Sequence, residues 1–109
     1  MEDILRLTLL LDFYGELLTP KQRDVFKMYH QDDMSLSEIA AEEGVSRQAV
    51  SDQLRRTERV LSGYEEKLGL VARFQEQKRL VRRIRDLAVE LTEQTAAEQI
   101  IALADRILE

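Results

Sequence analysis

The stretch "EEGVSRQAVSDQLRR", residues 42–56, decides how this chain is read. It has the rhythm of two helices meeting at a tight turn. Gly44 can take the left-handed conformation that ends a helix without a Cβ clash. Ser46 follows as an N-cap for the next helix. Ala40, four residues before the glycine, is small enough to let the first helix approach the second. Val45 is expected to tuck the turn against the core, and Val50, six after the glycine, to anchor the second helix. These demands fall in register, so residues from about 35 to 61 are expected to form a helix-turn-helix.

Outward from that point the chain reads as helices. "SLSEIAAEEG" carries an S-x-x-E capping box, Ser35 with Glu38, and turns Leu36, Ile39 and Ala40 inward. Ahead of it, "TPKQRDVFKMYH" has a second box, Thr19 with Gln22, and Pro20 at the first helical position. Val25, Phe26 and Tyr29 are its expected buried stripe. "ILRLTLLLDFYGELL" places Ile4, Leu7, Leu11, Tyr14 and Leu18 three or four apart, an amphipathic helix. The helix capped by Ser46 is expected to run to about Leu68, before Gly69, with Val50, Leu54, Thr57 and Leu61 on its inner face. Gly63 lies inside that span and weakens it.

Beyond Gly69, the residues Leu70, Phe74, Gln77, Val81, Ile84, Ala88 and Leu91 form a heptad stripe. "TAAEQIIALADRIL" closes the chain, with an expected capping box from Thr95 to Glu98 and an apolar face of Ala97, Ile100, Ile101, Ala104 and Leu108. The fold expected is all-α. Residues 1–68 form a helical head and residues 69–109 a helical extension that packs back or dimerises, within one compact unit.

The 109 residues suffice for one modest core, and 44% apolar with 34% charged residues suits a folded helical protein. Without cysteine, disulfides, thiolate metal sites and cysteine nucleophiles are excluded. The acidic start and the lack of an apolar run of about 18 residues point to a cytoplasmic protein with no membrane span. His30 is the sole histidine. Beside Asp32 and Asp33 it reads as a solvated loop residue near a helix end, not a metal ligand. Tyr14 and Tyr29 read as core residues with hydroxyls at the rim. Asp12 and Glu16 lie one turn apart but have no nucleophile or pocket, and phosphate-cradling glycine loops are missing. No cofactor, metal or catalytic residue is expected, so the chain is not read as an enzyme.

The net charge is -5, which argues against a polyanionic partner until its distribution is examined. Residues 1–45 hold 4 Lys/Arg and 10 Asp/Glu, residues 46–85 hold 11 and 5, and residues 86–109 hold 1 and 6. The basic middle begins at the helix-turn-helix. If the second helix enters the major groove, Ser46, Arg47, Gln48, Ser51 and Asp52 face base edges. Arg47 suits a forked contact to guanine and Gln48 a paired contact to adenine. Arg55, Arg56 and Arg59 suit phosphates. Asp52 is costly near phosphate unless it accepts from cytosine or pairs with Arg55 or Arg56. The rival reading is a structural helix-turn-helix whose charged face is merely solvated. A second basic surface, Lys78, Arg79, Arg82, Arg83 and Arg85, flanks the heptad seam. It admits three readings: a dimer helix, a contact for RNA or anionic lipid, or a partner for acidic helices of the same fold.

"LSEIAAEEGVSRQAVSDQLRRTERVL" resembles region 4 of bacterial sigma factors. Residues 5–72 are more closely similar to the YlxM family, specifically in "YGELLTPKQRDVF" and "GVSRQAV". The resemblance implies an all-helical, sigma-region-4-like fold and no catalytic residues. It implies a regulatory part in the signal recognition particle pathway, because genes of this family lie beside those for the particle's protein and receptor. By position the reading helix falls on Ser46 to Arg56. The family pattern "VSRQAVYDNIKR" has an aromatic where this chain has Ser51, so an aromatic contact surface is lost there. Two functions follow from different classes. One is a DNA-binding regulator acting as a homodimer. The other is a module that binds the signal recognition particle, through its protein or its RNA, without reading DNA.

Overall fold

The computed structural model describes residues 4–91 and 93–109. Among the described residues, six α-helices and a short 3-10 turn follow in order: α1 (Ile4–Tyr14), the turn (Gly15–Leu17), α2 (Pro20–His30), α3 (Leu36–Glu43), α4 (Arg47–Leu68), α5 (Leu70–Val89) and α6 (Gln94–Leu108). The fold is all-α, with no strand among the described residues. The chain divides into two units, one running to Val71 and the other from Ala72 to Glu109.

In the first unit the ends of the helices are set by side chains. Thr19 Oγ1 accepts the Gln22 N–H while Gln22 Oε1 accepts the Thr19 N–H, so both expected donors of α2 are satisfied. Ser35 and Glu38 do the same for α3. α4 packs against α1, α2 and α3 and is the centre of the unit. Its inner face is the expected one, Val50, Leu54, Thr57 and Leu61, all buried. They meet Leu7, Leu10, Leu11 and Tyr14 from α1, Val25 and Phe26 from α2, and Ile39 and Ala40 from α3. Each large aliphatic side chain removed from water here contributes about 1.5–3 kcal/mol. α4 continues through Gly63 without a break.

Three expectations about the head are corrected. The helix expected over residues 4–18 stops as α-helix at Tyr14 and tightens into the 3-10 turn; Ile4, on the expected stripe, is 69% exposed. Tyr29 is 40% exposed: it lies in the last turn of α2, outside the core that Val25 and Phe26 join, with its ring edge-on to His30. His30 is not a solvated loop residue: it ends α2 with its ring 4.3 Å from Phe26, and burial lowers its pKa.

The head ends at a clasp that the sequence pattern does not announce. Gly69 takes φ 64 and α5 begins at the next residue, so two helices abut with one residue between them. The N–H groups opening α5 have no helical acceptors. Leu70 N–H donates to the Tyr14 hydroxyl at 3.0 Å, and Val71 N–H donates to Glu65 Oε1 at 2.9 Å. Tyr14 in turn donates its hydroxyl proton to the same Glu65 oxygen at 2.6 Å. Burial first, then the Glu65 carboxylate, raises the Tyr14 pKa, so the phenol keeps its proton.

The second unit is a helical hairpin. Arg85 reaches Asp105 at 3.0 Å and Lys78 Nζ donates to the Leu108 carbonyl at 2.6 Å, which sets α5 and α6 antiparallel. Ala88, Ala97 and Ala104 are buried, and Val81, Ile100, Ile101 and Leu108 are half-buried. The expected heptad stripe is therefore split: Leu70 packs on the head's core, Phe74 and Val81 are half-buried and Ala88 buried, while Gln77, Ile84 and Leu91 are exposed. The expected Thr95–Glu98 capping box does not form, because α6 starts earlier, at Gln94, and its N-cap Glu93 makes no side-chain cap.

Candidate nucleic-acid interface

The α3–α4 junction is a helix-turn-helix. Gly44, at φ 67, closes α3 with its N–H on the Ala40 carbonyl, and Val45 N–H joins it there at 3.1 Å. Ser46 Oγ accepts the Ala49 N–H at 3.1 Å and starts α4. Val45 itself is 40% exposed and does not tuck into the core; the turn is held by backbone hydrogen bonds and by Ala40, Val50 and Ile39 beneath it.

This geometry lifts the first turn of α4 clear of the core. Ser46, Arg47 and Gln48 are exposed and Ser51 and Asp52 half-exposed, whereas Val50 and Leu54 on the opposite side are buried. Arg55, Arg56 and Arg59 are exposed on the following two turns. Arg47, Arg56 and Arg59 make no ion pair among the described residues. Asp52 is engaged on its own helix. Its Oδ1 accepts from Gln48 Nε2 at 3.0 Å and from Arg55 Nη2. These two donors, Gln48 first, hold the Asp52 carboxyl below its usual range. One carboxylate thus occupies two of the side chains expected to read or grip nucleic acid.

The second basic surface is largely claimed inside the hairpin. Arg79 forks onto Glu76 at 2.9 and 2.6 Å, which raises the Arg79 pKa. Arg85 pairs with Asp105. Lys78 lies 4.9 Å over the Phe74 ring besides its bond to Leu108. Arg82 and Arg83 are exposed and make no ion pair among the described residues. No group of three or more His, Asp or Glu side chains among the described residues is placed to hold a metal ion. No helix is long and apolar enough to cross a membrane, among the same residues.

Residues 1–102 match the sequence profile of the family described as "UPF0122: Putative helix-turn-helix protein, YlxM / p13 like". The UPF0122 protein of Bacillus pumilus (strain SAFR-032) is 43% identical over 107 residues, covering 98% of this chain and 97% of that one. The UPF0122 protein GK1195 of Geobacillus kaustophilus (strain HTA426) is 49% identical over 86 residues, covering 79% and 78%. A UPF0122 protein of Bacillus cereus (strain AH187) is 51% identical over 90 residues, covering 83% and 82%.

Proposed function

We propose, from the premise that this chain belongs to the YlxM/p13-like helix-turn-helix family, that it is a non-catalytic, cytoplasmic regulator that contacts DNA through the first turns of α4. The head, residues 1–68, carries the contact, and the extension, residues 69–109, makes the chain a homodimer. The observation behind this reading is the exposed start of α4, where Arg47 and Gln48 stand free of the core and Arg56 and Arg59 follow without intramolecular ion pairs among the described residues. Arg47 suits guanine, Gln48 adenine, and the later arginines phosphate oxygens. A two-fold dimer carries two symmetry-related copies of this helix, as a reader of two half-sites requires. A salt titration of duplex binding tests the contact: log affinity should fall linearly with log salt. Substituting Arg47 and Gln48 with alanine should erase sequence preference. No binding even at low salt would end this reading.

Two observations favour a second function. Asp52 holds Gln48 and Arg55, while Arg82 and Arg83 lie exposed on α5. Under that reading the chain binds the signal recognition particle, by its protein or its RNA, without reading DNA. The gene neighbourhood of YlxM proteins points the same way. Capture from cell extract, with protein and nucleic acid both identified, separates the two. The Arg47/Gln48 variant should keep its partner if α5 is the contact and lose it if α4 is.

A further inference from the structure

The hairpin of α5 and α6 buries small side chains and exposes large ones. Leu80, Ile84, Leu87, Leu91, Leu103 and Ile107 are 47–59% exposed, while the buried apolar residues beyond Val71 are Ala88, Ala97 and Ala104. A single exposed leucine is ordinary; a contiguous stripe is not. Leu80, Ile84 and Leu87 are spaced four and three, so they form one stripe on α5, about 100° around the helix from the inward Val81 and Ala88. Leu91 follows in the turn after α5. On α6, Leu103 and Ile107 lie about the same angle from Ala97, Ala104 and Leu108. Both stripes are displaced from the seam in the same angular sense. Because the two helices are antiparallel, that rotation carries both stripes to the same side of the hairpin. The result is one apolar face across two helices.

We propose that this face is the docking surface for the same face of a second copy, closing a two-fold four-helix layer. The charge pattern selects this occupant. Residues 70–89 hold six basic and two acidic side chains, and residues 93–109 hold one and four. A two-fold axis that lays α5 of one copy along α6 of the other brings opposite signs together, so the surface is complementary to itself. A polyanion or an anionic membrane would be drawn to α5 and repelled by α6. The area is also sufficient. Six half-exposed aliphatic side chains offer about 500 Å² of apolar surface per copy. That is the greater part of the roughly 800 Å² per partner buried in a standard interface. This deepens the dimeric part of the function proposed above and rests on it.

Sedimentation equilibrium of the full chain across the micromolar range tests it. A dimer is expected. Ile84→Glu and Leu103→Glu, at positions exposed in the single chain and so tolerant of charge, should each weaken association by at least about a hundredfold. Val89→Glu is the control: Val89 is 61% exposed but lies on the other flank of α5, so its variant should associate like the parent. A parent chain that stays monomeric overturns the proposal, and if that monomer binds phosphatidylglycerol vesicles the face belongs to lipid. A dimer indifferent to Ile84→Glu and Leu103→Glu overturns it by placing the interface elsewhere. Duplex binding measured on the same samples keeps the two readings apart. A dimer that binds no duplex leaves the interface standing and removes the DNA contact; a monomer that binds duplex does the reverse.

Discussion

Replacing Tyr14 by phenylalanine should destabilise the head through the loss of a single oxygen. The ring stays, stacked 5.9 Å from Tyr64, so packing is nearly conserved. The lost hydroxyl makes two hydrogen bonds: it donates to the Glu65 carboxylate and accepts the Leu70 N–H. A hydrogen bond to a charged group contributes about 1.5–3 kcal/mol and a neutral one about 0.5–1.5. Glu65 keeps its bond from Val71, so the carboxylate is not left bare. A loss of at least about 2 kcal/mol results, equivalent to a fall of at least roughly 8 °C in Tm for a chain of this size. Thermal and urea unfolding by far-ultraviolet circular dichroism measure it, with Tyr29→Phe, on an exposed side chain, as the neutral control. Hydrogen exchange at Leu70 should also quicken, since its N–H loses its acceptor. A Tyr14→Phe variant within about 0.5 kcal/mol of the parent, in the ordinary range of a surface change, would refute the clasp.

Three further outcomes are expected. Gly63→Ala should stabilise by about 0.5–1 kcal/mol, since the residue is inside α4 and an added Cβ meets nothing within 4 Å; Gly44→Ala should destabilise, because φ 67 strains any side chain. Stability should decline as pH falls below 6.5: burial holds the His30 pKa under that value in the folded chain, so the unfolded chain takes the proton first. Glu38 and Glu76, whose pKa values are lowered, act only below 4.5, so His30→Gln should flatten the upper part of the acid limb in a pH series of urea midpoints. Asp52→Asn should free Gln48 and Arg55 and raise duplex affinity by about tenfold at low salt, read by fluorescence anisotropy; a fall instead would make Asp52 a base-reading or positioning residue.

What the sequence made legible follows from how local each signal is. Capping boxes at Thr19 and Ser35, the left-handed Gly44 and the inner face of α4 involve residues within one or two turns of each other, and all stand as read. Family membership was legible too, in the contiguous strings "YGELLTPKQRDVF" and "GVSRQAV". The failures need the third dimension. Tyr29 and Val45 stand in suitable register but at the last turn of α2 and in the α3–α4 turn, where the core has already ended. The Tyr14–Glu65 clasp joins residues 51 positions apart, and no pattern along the chain encodes it. In the heptad run, periodicity could not say that Val81 and Ala88 would turn to α6 while Ile84 turned away, since a two-helix hairpin has only one seam to fill.

The charge of the reading helix shows the same limit from the other side. Counted along the chain, residues 46–85 carry eleven basic against five acidic side chains, and that excess removes the objection raised by a net charge of -5. Counted in space, much of it is already spent within the molecule: Asp52 engages Arg55, Glu76 engages Arg79, and Asp105 engages Arg85. These pairs are exposed and individually weak, so a phosphate can displace the carboxylate from any of them. A duplex that binds α4 must therefore compete with Asp52 for Arg55 and Gln48, while Arg47, Arg56 and Arg59 need no such exchange. Under the proposed DNA contact the Asp52 carboxylate is then a net cost to binding, which is why Asp52→Asn is expected to tighten it; a target that offered Asp52 a cytosine amino group would instead make that variant bind more weakly.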